Sequence, residues 1–96
     1  MLNGKQKRYL RSLAVNMKSI FQIGKDGLNE NLYISLNDAL KARELIKINV
    51  LKSCDLDITD IEENIVKNTN CELVQTIGKT IVLYKKNIKE SKIILP

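Results

Sequence analysis

The spacing of apolar positions changes several times along the 96-residue chain, and each change marks an element. Leu10, Leu13, Ala14 and Met17 fall at i, i+3, i+4 and i+7, the stripe of an amphipathic helix from Gly4 to about Met17. Asn3, with Gln6 three positions later, resembles a capping box that satisfies the first free N–H groups of this helix. Strand character follows from about Ser19 to Ile23, and Gly24-Lys25-Asp26-Gly27 ends it with a glycine turn that leads at once into a second helical pattern. There Asn29 is the N-cap, Leu32, Leu36, Ala39 and Leu40 form the core side, and Tyr33 packs at its edge. Leu45 to Leu51 alternates, with Ile46, Ile48 and Val50 on one face and Lys47 and Asn49 on the other.

Thr59-Asp60-Ile61-Glu62 matches a capping box, which predicts a third helix over about Asp60 to Thr69, stopped by Asn70 in the left-handed conformation. Cys71 to Ile77 and Thr80 to Lys85 read as strands joined by a two-residue Gly78-Lys79 turn. This order predicts an α/β fold in one domain over residues 1–96. A partly polar sheet face places the helices chiefly on the other face, a two-layer arrangement in which the first helix is still free to cover part of the polar side. The tail from about Asn87 to Pro96 fits a short edge strand or a packed extension equally well.

Composition narrows the chemistry. A single proline stands at the very end and no Gly/Ser-rich run interrupts the chain, so no internal linker is expected. No apolar run approaches the roughly 18 residues of a membrane span, and a cytoplasmic protein is expected, with no membrane partner. Cys54 and Cys71 are too few for a disulfide framework and read as reduced structural thiols. The chain has no histidine, no nucleophile with an adjacent base, and carboxylates explained by the start of the third helix. Neither catalysis nor a metal, cofactor or small-molecule substrate is expected, and a nuclease is disfavoured for the same reasons.

The formal net charge is +5 and unevenly spread. Residues 1–28 hold Lys5, Lys7, Arg8, Arg11, Lys18 and Lys25 against Asp26 alone, whereas residues 53–72 hold six carboxylates against Lys67. Lys7, Arg8 and Arg11 lie three or four apart and share a helix face. A charged stripe is usually only a solvated face, and a Gly-x-x-Gly is often only a tight turn. Together they describe a phosphate-binding surface, in which Gly24 to Gly27 brings backbone N–H groups and Lys25 to a helix start while the cationic face neutralises neighbouring phosphates. Lys5, Lys47, Lys79 and Lys85 extend this surface. Aromatic residues make up 4% of the chain, so recognition rests on backbone and shape more than on stacking. KH domains clamp RNA with a Gly-x-x-Gly loop, an analogy of mechanism and not of fold. The alternative is a protein-interaction module that docks on ribosomal or other acidic partners through the same face.

Several ordered motifs carry a family resemblance over nearly the whole chain. They are Lys5-Gln6, Leu10-Arg11-Ser12-Leu13-Ala14, Gln22-Ile23-Gly24-Lys25-Asp26-Gly27-Leu28, Glu44-Leu45-Ile46-Lys47, Leu73-Val74-Gln75-Thr76-Ile77-Gly78-Lys79, Val82-Leu83-Tyr84-Lys85 and the closing Leu95-Pro96. With these the sequence resembles the YhbY family, the stand-alone bacterial form of the CRM (chloroplast RNA splicing and ribosome maturation) RNA-binding domain. It departs from the family pattern at Asn3, Asp26, Arg43, Asn70 and Lys85. Asp26 matters most among these, because a carboxylate in the turn weakens attraction for phosphate and Lys25 offsets it. The resemblance implies a helix followed by β-α-β-α-β-β on a four-stranded mixed sheet, similar to the C-terminal domain of bacterial translation initiation factor 3. It also implies an RNA-binding role, on ribosomal RNA, in maturation of the large ribosomal subunit; a monomer is expected.

Overall fold

In the computed structural model, which describes residues 2–87 and 93–96, the elements run α1 (Gly4–Ala14), β1 (Phe21–Ile23), α2 (Glu30–Arg43), β2 (Leu45–Val50), α3 (Ile58–Thr69), β3 (Glu72–Ile77) and β4 (Thr80–Tyr84). The strands form one mixed sheet in the order β1-β2-β4-β3. β1 pairs with β2 in parallel, and β4 lies antiparallel to both β2 and β3. β1, β2 and β3 therefore all end at the same edge of the molecule. The fold is the α/β class expected, with three helices on a four-stranded mixed sheet.

Strand alternation divides the core in two. Ile23, Ile46, Ile48, Val50, Ile81 and Leu83 point to one face, where Leu36 and Leu40 of α2 and Ile61 and Ile65 of α3 cover them. Leu45, Val82 and Tyr84 point to the other, where they meet Leu10 and Ala14 of α1. Each fully buried side chain of this kind stabilises the fold by roughly 1.5–3 kcal/mol relative to exposure. The two-layer unit is thus built by α2, α3 and the sheet, while α1 covers part of the second face. A bulge at Val74 in β3 supports this arrangement. The register passes from Leu73 opposite Leu83 to Gln75 opposite Val82, and the extra residue, Val74, is buried against α1.

Several element ends follow local chemistry. The Asn3–Gln6 capping box forms in both directions, with Gln6 N–H donating to Asn3 Oδ1 at 2.8 Å and Asn3 N–H to Gln6 Oε1 at 3.1 Å. Asn29 caps α2 through a 2.8 Å bond from Leu32 N–H, and Asn70 ends α3 at φ 56°, ψ 28°. Other expectations are corrected. α1 stops at Ala14, short of Met17, and Leu13 lies on its exposed side at 38%. α3 begins at Ile58 instead of Asp60, with Asp57 as cap residue and no capping box at Thr59. Glu62, the acid of that pattern, instead accepts a 2.5 Å bond from the Thr76 hydroxyl and ties α3 to β3. Of the tail, residues 88–92 lie outside the described part. Ile93 and Leu95 pack on the α1 side and Gln6 Nε2 donates to the Pro96 carbonyl at 3.4 Å, so this end is a packed extension and no strand.

Candidate nucleic-acid interface

Parallel pairing of β1 with β2 brings the segments that follow them together. Leu51 N–H donates to the Ile23 carbonyl at 2.8 Å, and Val50 N–H donates to the Lys79 carbonyl at 2.7 Å. The glycine turn, the segment after β2 and the Gly78-Lys79 hairpin consequently share one end of the sheet. Lys25, Lys52 and Lys79 are all exposed there. The sequence reading missed Lys52, although its position just past β2 follows once β1 and β2 are known to be parallel.

The turn itself closes through Gly27 N–H donating to the Gly24 carbonyl at 2.9 Å. Gly27 has φ +62°, which requires glycine, while Gly24 does not adopt a left-handed backbone. A Cβ at Gly24 would meet Leu51 Cδ1 and Ser53 Oγ at 3.4 Å, and one at Gly27 would meet Leu56 Cδ1 at 3.3 Å. Both glycines thus lie against the protein's own neighbouring segment. The helix does not open directly from the turn either. Leu28 and Asn29 intervene, the Asn29 side chain takes the Leu32 N–H, and Glu30 adds a negative charge to the first turn. What the turn offers an anion is the exposed Lys25 and the N–H groups of Lys25 and Asp26, which have no acceptor among the described residues.

On the other side of the sheet, α1 carries Lys7 and Arg11 half-buried along its flank and Lys5 and Arg8 exposed. Leu2 N–H bonds to Glu72 Oε1 at 2.7 Å, so α1 starts at the beginning of β3 and runs toward the loop end. Arg11, Ala14 and Val15 form one wall of an open recess floored by Lys47, Gln75, Thr80 and Val82, with Ile77 at its margin. Gln22, exposed and in register with Asn49, continues this polar floor toward β1. The glycine turn, at the end of β1, leads into α2 on the opposite face, while α1 packs on β2 and β3, so this floor lies between the turn and the basic helix.

Two expected site residues have acceptors within the protein. Lys47 donates to the carbonyls of Ala14 at 3.2 Å and Met17 at 3.3 Å, and Lys85 donates to the Thr69 carbonyl at 2.8 Å and to Asn37 Oδ1 at 3.5 Å. Each ammonium lies at the C-terminal end of a helix, where free carbonyls and the dipole attract a cation. They are structural caps first. Lys5, Lys7, Arg8, Arg11, Lys25, Lys52 and Lys79, by contrast, form no hydrogen bond or ion pair through their side chains with any described residue.

Other polar groups have no such role. Cys54 and Cys71 are free buried thiols, and burial raises the Cys71 thiol above its ordinary value. Burial, followed by the Glu44 and Glu72 carboxylates, likewise raises the Tyr84 hydroxyl. Among the described residues no group of three or more Cys, Asp or Glu is gathered to hold a metal, and no helix is long and apolar enough to cross a membrane.

Residues 2–85 match the model of the CRS1 / YhbY (CRM) domain. The chain is similar to the Probable RNA-binding protein YqeI of Bacillus subtilis, at 52% identity over the full length of both proteins. It is also similar to a Haemophilus influenzae protein named RNA-binding protein, 38% identical over 99% of this chain and 95% of that one. Among solved structures, that of SAV1595 from Staphylococcus aureus superposes over the whole of both chains with a TM-score of 0.81 and 50% identity.

Proposed function

The chain belongs to the CRS1 / YhbY (CRM) domain family, and from that premise we propose that it is a non-enzymatic, cytoplasmic RNA-binding protein that grips sugar-phosphate along the loop end of its sheet. Arg8, Arg11 and Lys7 hold the strand on the α1 side, and Lys25, Lys52 and Lys79 hold it at the rim. Lys5 contributes from the first turn. The observation that carries the reading is the set of cations on the α1 flank and at the loop end whose side chains bond no described residue. The names of its relatives support RNA as the polyanion. The family resemblance supports ribosomal RNA in precursors of the large subunit as the target, and we take the protein to act as a monomer.

The test is the salt dependence of RNA affinity. Each phosphate contact contributes roughly 0.7 to 0.9 to the slope of log K against log salt. An Arg8→Gln/Arg11→Gln variant is expected to bind more weakly with a slope smaller by roughly 1.4 to 1.8. An unchanged slope removes α1 from the interface. In complexes purified from cells, nuclease treatment is expected to release the partners; partners retained after it would favour the protein-docking alternative.

A further inference from the structure

The recess between α1 and the sheet has a chemistry that a backbone grip does not use. Its floor presents the Gln75 carboxamide, which bonds no described residue, and the Thr80 hydroxyl, whose one hydrogen bond among the described residues is a long 3.4 Å bond to Asn49 Oδ1. Its sides are aliphatic. Val15 at the end of α1 and Ile77 at the end of β3 line the same recess and are 73% and 62% exposed. Arg11 stands on its wall. A ligand that fits must have apolar faces, a hydrogen-bonding edge and an adjoining negative charge. A nucleotide has all three.

We infer that this recess is a subsite for one unpaired nucleobase of a bound RNA strand. The base lies against Val15 and Ile77, Gln75 and Thr80 meet its edge, and its phosphate faces Arg11. Dimensions favour a single base over a duplex. The recess has a volume of only about 50 Å³ and α1 closes one side of it, so it takes the edge of one base and no paired helix. A paired A-form helix keeps its bases stacked and paired, with their major-groove edges in a deep, narrow groove that side chains cannot read, whereas an unpaired strand can splay a whole base out. Carboxamide side chains offer the paired donor and acceptor that a base edge requires.

This inference rests on the RNA-binding reading, and the experiment separates the two. A 12-nucleotide single-stranded RNA is compared, by fluorescence anisotropy, with the same chain carrying abasic riboses at its three central positions; both have the same charge. Wild-type protein is expected to prefer the intact strand roughly tenfold, the worth of one well-placed base. Gln75→Ala/Ile77→Ser is expected to bring that ratio toward one while leaving the salt slope unchanged. Val15→Ser, which alters α1 and leaves the sheet intact, is expected to reduce the ratio independently. Equal wild-type affinity for the two strands, or variants that weaken both strands alike, overturns the subsite while RNA binding stands. Failure of the wild-type protein to bind either strand with salt dependence overturns the RNA reading and the subsite with it.

Discussion

Gly27 holds the turn in a conformation that side chains resist. With φ at +62° and Leu56 Cδ1 3.3 Å from the site of a Cβ, Gly27→Ala adds backbone strain to a tight contact. A loss of about 1 to 2 kcal/mol is expected, a fall in Tm of several degrees for a chain of this size. Gly24→Ala meets only ordinary contacts and is expected to change stability by less than about 0.5 kcal/mol. Equal melting temperatures for the two variants would contradict this account. Because both missing methyl groups point at residues 51–56, a binding defect in either variant reflects the altered loop and not a ligand pressed against a bare backbone. The buried thiol of Cys71 and hydroxyl of Tyr84 give a second expectation at this scale. Both are raised, from ordinary values of 9.0 and 10.0, chiefly by burial. The unfolded chain therefore releases these protons at lower pH than the folded one, so their stabilising contribution is complete below about pH 9 and is lost as pH rises further. Urea midpoints are expected to hold level from pH 7 to 8.5 and to fall between pH 9 and 10; a midpoint that stays level to pH 10 would rule out the linkage.

Helix ends show how local chemistry and tertiary placement share the work at the next scale. The Asn3 box and the Asn29 cap were legible because each bond closes within four residues. α3 was misjudged by two residues at its start, since Ile58 packs half-buried against the core and the helix begins there, whatever the Thr59 pattern suggests. Lys47 and Lys85 were read as free surface cations for the same reason in reverse. Their acceptors, Ala14 and Thr69, lie 33 and 16 residues away, and nothing in local spacing announces them. Their roles are separable by experiment. Lys85→Met removes a charged donor from the end of α3 and is expected to destabilise by about 1 to 2 kcal/mol with no change in the salt slope of RNA binding. Lys25→Gln/Lys79→Gln is expected to do the opposite, leaving Tm within a degree or two and lowering the slope. If Lys85→Met reduced the slope as the other pair does, the cap would also be a phosphate contact.

At the scale of the whole molecule, alternation along β2 revealed a sheet with one apolar and one mixed face, but not which end of that face would stay open. That depends on α1 beginning at Glu72 and crossing toward Thr80, and on the Val74 bulge, which turns both Val74 and Gln75 toward α1. The result partly segregates charge. Cations border the α1 flank and the loop end, exposed carboxylates Asp60 and Glu63 lie on α3 against the opposite face, and Asp26, Glu30 and Asp55 are interspersed with the lysines at the loop end. A polyanion is attracted to the α1 flank more than to the α3 face, and the acids beside Lys25 and Lys52 temper the attraction at the loop end. Amide chemical shifts recorded during titration with the 12-nucleotide RNA are expected to move for Lys7 to Val15, Gln22 to Gly27, Lys52 and Gln75 to Thr80. Those from Asp60 to Lys67 are expected to stay in place, because α3 sits behind the opposite layer of the core. Shifts concentrated on α3 would mean that the cationic border is a solvated surface and that RNA meets the protein elsewhere. Shifts confined to residues 22–27 and 77–80 would place the strand on the rim alone, with the floor between α1 and the sheet left to solvent.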